Sequence, residues 1–272
     1  MKIGFFDSGV GGLSVLNEAW HELPADTEYL FYCDSDHVPY GAKTRDEIRH
    51  YADEAVGFLF RQGADAVVVA CNTATAVAIS ALRKKYTRPI IGMEPAVKPA
   101  VEESEGRRIL TAATPVTVRE EKLKKLLARV DSGHCVDLIP LPQLVLFAEN
   151  ENFDTPEVET SLRDSLKEYR LEDYFALVLG CTHFNYFKPV FRKIFGEQLI
   201  FVDGRHGTIR HLKDVMGLAE RETGNSARVD CLQDLTDRFH TVFYISGRPV
   251  EDRAALEHFM RLLNRLEDVR SV

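Results

Sequence analysis

Two cysteines close near-identical strings, Val67-Val68-Val69-Ala70-Cys71-Asn72-Thr73 and Leu177-Val178-Leu179-Gly180-Cys181-Thr182-His183. Each runs from branched, strand-forming residues through one small residue to the thiol, then to two polar residues and a helical pattern. Ligands of open α/β sheets sit beyond the carboxyl ends of the strands, where both thiols fall. A thiol at a helix N-terminus feels the positive end of the helix, which lowers its pKa toward neutrality. The free N–H groups of the same turn can hold a carboxylate. Asn72 or Thr73, and Thr182, are placed to cap the helices that follow, and Pro189 limits where the second begins. Two such thiols facing one cleft can move a proton from one face of a carbon to the other. A carbon α to a carboxylate is a very weak acid, so this chemistry needs a base, an opposing acid and donors for the developing carbanion.

Other polar groups gather at strand ends. The first strand leads into Asp7-Ser8-Gly9-Val10-Gly11-Gly12, a glycine-rich turn that brings Asp7, Ser8 and backbone N–H groups to the cleft. Ser14 stands where a dinucleotide fingerprint needs its third glycine, which argues against a nucleotide loop. Asp34 ends the second strand and opens a polar loop through Asp36-His37 to Pro39-Tyr40-Gly41, where Gly41 lets backbone approach a ligand. Asp36 and His37 form no metal-ligand spacing, and no metal site is expected. The remaining cysteines, Cys33, Cys135 and Cys231, read as small core residues.

These groups must be positioned by a regular frame. Strand patterns at Ile3–Asp7, Tyr29–Asp34, Ala66–Ala70, Ile90–Gly92, Ile109–Ala113, Val136–Pro140, Ala176–Leu179, Leu199–Val202 and Thr241–Ser246 alternate with helical ones. The helical patterns are Leu13–Leu23, Thr44–Arg61, Thr75–Lys85, Glu120–Val130, Pro156–Tyr169, Ile209–Glu222 and Glu251–Leu266. Such alternation predicts an α/β fold of mainly parallel sheets flanked by helices. Punctuation at Pro95–Pro99 and Asp203-Gly204 divides it into two similar, pseudo-symmetric lobes with the site in the cleft between them. Residues 1–96 with 208–272 form an outer lobe carrying Cys71, and 97–207 a middle lobe carrying Cys181.

The net charge of −8, with no basic stripe, argues against nucleic-acid binding. An anionic substrate is then held by local donors. Five scattered cysteines without a C-x-x-C pair fit neither a disulfide framework nor a zinc site, and neither a signal peptide nor a membrane span is expected. The expected compartment is the cytoplasm.

With these motifs the chain resembles the glutamate racemases of the aspartate/glutamate racemase superfamily. Phe6-Asp7-Ser8-Gly9-Val10-Gly11-Gly12-Leu13-Ser14, Asp34 through Pro39-Tyr40-Gly41, Ala70-Cys71-Asn72-Thr73-Ala74 and Gly180-Cys181-Thr182-His183-Phe184 resemble that family's motifs in order. Glu94-Pro95, Ala113-Thr114, Glu149 and Ser246-Gly247 fall where the family has similar elements. The resemblance implies cofactor-independent interconversion of L- and D-glutamate, supplying D-glutamate to peptidoglycan. It makes Cys181 the base toward the L-isomer, assisted by His183, and Cys71 the base toward the D-isomer, assisted by Asp7. Asp7, Ser8, Tyr40, Gly41, Asn72, Thr73, Thr182 and His183 match substrate-contact positions. Thr75, Thr114 and Thr117 are further candidates, and Asp34 and Glu149 electrostatic ones.

Departures from the family pattern are Pro115, Arg119-Glu120-Glu121 and Asn185-Tyr186-Phe187, which touch the middle-lobe wall and the pocket depth. The chain opens on its first strand, so activation by a cell-wall precursor is not expected. A homodimer through helix Leu13–Leu23 or the C-terminal helix is a further expectation. Alternatives are an aspartate racemase or another two-thiol isomerase of a small acid, and a redox sensor pairing Cys71 with Cys181.

Overall fold

The computed structural model describes residues 1–219 and 226–272. Among them, β1 (Lys2–Asp7), β2 (Glu28–Cys33), β3 (Ala66–Val69), β4 (Ile90–Gly92), β9 (Thr241–Ile245) and β10 (Arg248–Pro249) build one sheet, ordered β10-β9-β2-β1-β3-β4. A second sheet, ordered β6-β5-β7-β8, holds β5 (Arg108–Ala113), β6 (Val136–Pro140), β7 (Tyr174–Gly180) and β8 (Ile200–Asp203). Every pairing is parallel except the β9–β10 hairpin. All nine expected strands are present within two residues of the expected ends; β10, only two residues long, carried no periodicity to find.

The strands bearing the thiols are buried on both faces, which is why they read as unbroken branched runs rather than alternating ones. In each sheet the thiol strand lies beside a parallel partner that ends at the same level. Val69 pairs with Phe6, one residue before Asp7, and Gly180 pairs with Ala113, one residue before Thr114. The two lobes therefore deliver Cys71 with Asp7, and Cys181 with Thr114, from equivalent places.

The helical patterns form with shifted ends. Helix Arg45–Arg61 starts at a capping box in which Thr44 and Glu47 satisfy each other's backbone N–H groups. Helix Arg205–Met216 begins four residues before the expected Ile209 and stops at Gly217, a left-handed cap at φ 64°; its expected end at Glu222 lies outside the described residues. Helix Leu13–Glu22 corrects an expectation about assembly. Leu13 through Trp20 are buried, with Trp20 stacked on Phe239 at 4.0 Å, so this helix is core and no free dimer face. Cys33 and Cys135 are buried as expected, whereas Cys231 is exposed. It stands just before helix Leu232–Asp237, at the surface end of that helix rather than in the core. No helix among the described residues is long and apolar enough to cross a membrane.

Candidate active site

A small cavity lies where the two sheets face each other. Ser8, Pro39, Tyr40, Gly41, Cys71, Asn72 and Thr73 line it from the first sheet's side, and Thr114, Val145, Cys181, Thr182 and His183 from the second's. Cys71 and Cys181, each 5 % exposed, come one from each lobe.

The Cys71 side departs from its expected geometry. Helix Asn72–Lys85 is capped by Cys71 itself, whose Sγ accepts from the Ala74 N–H at 3.4 Å, so Asn72 and Thr73 are its first two residues. The thiol donates to Ser8 Oγ at 3.4 Å, and Ser8 Oγ donates to Asp7 Oδ1 at 3.2 Å. Asp7 thus reaches Cys71 through a hydroxyl and does not line the cavity. Its other contacts are the Gly9 N–H at 3.0 Å and the Thr182 hydroxyl at 3.0 Å, the second crossing between the lobes.

The expected lowering of the thiol pKa is overturned at Cys71. Burial, reinforced by the nearby Asp7 carboxylate, pushes it up to about 12, outweighing the Ala74 N–H and the helix end. Burial likewise raises Asp7 to about 6, against the charge of His183 and the hydrogen bonds from Gly9 and Thr182. Cys71 is therefore held in its protonated form.

The Cys181 side is built differently. No α-helix starts at the thiol; a 3-10 stretch, Thr182–Phe187, comes first, and the α-helix Lys188–Phe195 follows with Pro189 in its first turn. Thr182 is thereby free of the expected capping role and bonds Asp7 instead. His183 Nδ1 lies 3.7 Å from Cys181 Sγ, and its Nε2 lies 2.7 Å from Glu149 Oε1. Burial opposes charge on this imidazole, but the bonds to Cys181 and Glu149 prevail and hold its pKa well above the ordinary value. Glu149 also accepts from the Val10 N–H at 2.9 Å, so it ties the glycine turn of one lobe to the histidine of the other.

That turn needs its glycines for approach. A Cβ on Gly9 would lie 1.9 Å from Glu149 Oε1, and one on Gly11 2.4 Å from His183 Nδ1. Tyr186, one of the departures from the family pattern, donates to the Val10 carbonyl at 3.1 Å and braces the same junction.

The polar rim also spans both lobes. Thr73, Thr114 and Thr117 form a triangle of hydroxyl contacts at 2.8, 3.3 and 3.0 Å. Thr114 caps helix Pro115–Arg119, which makes Pro115 an ordinary first-turn residue. Glu120 breaks the chain between that helix and Glu121–Val130 and pairs with Arg45 of the other lobe. Asn72 is 3 % exposed, and neither its Oδ1 nor its Nδ2 has a partner among the described residues. An unpaired buried amide facing a cavity is costly unless a ligand completes it.

Three candidates stand back from the cavity. Thr75 turns its hydroxyl to the Val69 carbonyl at 3.1 Å, Thr117 reaches the cavity only through Thr114 and Thr73, and Asp34 lies behind Tyr40. Two lining residues escaped the sequence reading. Pro39 adjoins the expected Tyr40-Gly41 turn, and Val145 lies four residues before Glu149 on the same face of helix Gln143–Glu149.

Comparison with known proteins places the chain in a family. Residues 7–211 match the profile of a family described as Asp/Glu/hydantoin racemase. The glutamate racemase of Lachnospira eligens is 48% identical over 278 residues, covering 100% of both chains. The crystal structure of glutamate racemase from Campylobacter jejuni superposes with a TM-score of 0.76 at 29% identity, covering 97% of this chain and 98% of that one. The Escherichia coli glutamate racemase, solved with L-glutamate and the activator UDP-MurNAc-Ala, gives 0.75 at 26% identity over 92% and 98% of the two chains.

Proposed function

The chain belongs to the Asp/Glu/hydantoin racemase family, and from that premise we propose that it interconverts L- and D-glutamate by two-thiol proton transfer without a cofactor. The observation that carries this reading is the pair Cys71 and Cys181, brought one from each lobe to line a single cavity.

In the L-to-D direction Cys181 takes the α-proton, and the Cys71 thiol delivers its own proton to the opposite face of Cα. One proton leaves the substrate and one returns, so the net charge of the complex is unchanged. Cys71 is suited to the acid role because burial holds it protonated. After product leaves, Cys181 releases the proton it took and Cys71 regains one, the second relayed through Ser8 and Asp7, whose carboxyl titrates at about 6 and so exchanges readily near neutrality. On the other face the His183 imidazolium, oriented by Glu149, lies beside Cys181. The reverse reaction uses the same groups with their roles exchanged.

Binding falls to the donors left open. The Asn72 amide and the Thr73 and Thr114 hydroxyls, backed by Thr117, offer a carboxylate what the acidic chain as a whole does not. Pro39 and Val145 supply the apolar wall for the methylene groups. This reading divides the chain at 96/97 and 207/208 and makes it a cytoplasmic enzyme, a homodimer in solution, that supplies D-glutamate to peptidoglycan. Loss of optical rotation from L-glutamate, with no cofactor added and aspartate in parallel, tests activity and substrate together.

A further inference from the structure

The sheet edge remote from the thiols carries a feature that the mechanism does not use. Strands β9 and β10 pair antiparallel with Ile245 opposite Arg248, leaving Ser246 and Gly247 as a two-residue turn. Both residues have positive φ, 45° and 82°. Such a turn favours asparagine, aspartate or glycine at its first position, and serine is a strained choice there. Its side chain supplies the reason. Ser246 Oγ donates to Asp34 Oδ1 at 2.9 Å and accepts from the Asp36 N–H at 3.1 Å.

Asp34 is 2 % exposed and gathers three donors. Besides Ser246, the Tyr40 hydroxyl donates to Oδ2 at 2.6 Å, and His37 Nδ1, its ring stacked on Tyr51 at 3.8 Å, lies 2.9 Å from Oδ1. Tyr40 and Gly41 in turn form one wall of the cavity, with Gly41 against Thr114 of the other lobe. A continuous hydrogen-bonded path thus runs from the C-terminal hairpin to the cavity wall.

We propose that Ser246, acting through the buried Asp34 carboxylate, is a positioning residue that holds the Tyr40–Gly41 wall in place for substrate. The inference rests on reading this cavity as the site of glutamate racemisation. It gives Asp34 a mechanical role in place of the electrostatic one expected from sequence. Ser246 touches neither thiol, so its contribution falls on binding rather than on proton transfer.

Ser246→Gly separates this role from a structural one, because glycine suits the turn better and removes only the hydroxyl. The hairpin stays docked through the two-bond ion pair of Arg248 with Asp36, at 2.7 and 2.9 Å. Expected results are a rise of roughly five- to tenfold in KM for both isomers, kcat within about threefold of wild type and an unchanged melting temperature. Ser246→Asn, which tolerates the same backbone and restores a donor, is expected to return KM to near the wild-type value. Amide hydrogen exchange of residues 34–42 supplies a readout independent of turnover, with faster exchange expected in Ser246→Gly and wild-type protection in Ser246→Asn. Unchanged exchange of that segment in Ser246→Gly overturns the proposal. So does an unchanged KM in an active enzyme. A wild-type protein inactive on glutamate whose 34–42 segment still loosens in Ser246→Gly contradicts the proposed reaction and leaves the bracing of the wall standing.

Discussion

Glu149 Oε1 lies 2.7 Å from His183 Nε2, and these two residues come from separate elements of the second lobe, helix Gln143–Glu149 and the stretch after Cys181. The carboxylate fixes which ring nitrogen faces Cys181 and favours the charged imidazole beside it, an arrangement in which a third group orients the acid–base partner of a thiol.

Glu149→Gln keeps the shape of the contact and removes the charge. The His183 pKa is raised partly by Glu149, so the variant loses its imidazolium at lower pH than wild type. The expected outcome is a kcat reduced by about 10- to 100-fold, with the alkaline limb of the pH–rate profile moved to lower pH. Profiles for both isomers across pH 6–10 check it, and an unmoved alkaline limb counts against the coupling.

Asp7 titrates at about 6, well above its ordinary 3.8. A carboxyl raised in the folded state contributes stability below its unfolded pKa, and that contribution disappears as pH rises through about 6. Asp7→Asn, neutral at every pH, is therefore expected to be more stable than wild type above pH 7, by up to about 3 kcal/mol at 1.36 kcal/mol per unit. The two proteins should converge in stability near pH 4. Activity moves the other way, with kcat from D-glutamate lowered most. Denaturant unfolding at pH 4, 6 and 8 tests the stability claim; a variant less stable than wild type at pH 8 contradicts it.

Gly9→Ala places a methyl group where Glu149 Oε1 now stands, 1.9 Å away. Each lobe can fold with that change, but the glycine turn can no longer reach the His183–Glu149 pair. At least a 100-fold loss of kcat/KM is expected, with a modest fall in melting temperature. Near-wild-type activity would show that the lobes work at a wider separation than this structure has.

Much of this organisation is legible in the sequence because parallel sheets covered on both faces demand unbroken branched strands, and Val67–Val69 and Leu177–Leu179 are such runs. The ordered motifs located both thiols, Asp7 and His183. Properties set by the surroundings of a residue were harder to read. The helix start next to Cys71 suggested a lowered pKa, whereas complete burial beside Asp7 raises it. Thr75 lies one turn beyond Cys71, but its hydroxyl satisfies the Val69 carbonyl. Val145 joins the site only because helix Gln143–Glu149 turns both it and Glu149 inward, and a valine in a helix carries no chemical signal. Cys231 had the composition of a core residue and the location of a surface helix start.

Two thiols working on opposite faces of one carbon are the central claim, and isotope transfer tests it most directly. In D2O with L-glutamate and no added cofactor, proton loss at Cα is followed by NMR while optical rotation is recorded. Because the two isomers have equal free energy, kcat/KM must stay equal in both directions for every variant, so the comparison rests on the label. The account requires that wild-type D-glutamate product carry deuterium at Cα from its first appearance, and that Cys71→Ser and Cys181→Ser each abolish inversion. Inversion persisting in either serine variant at more than about a thousandth of the wild-type rate, the scale of losing an essential acid or base, would contradict it.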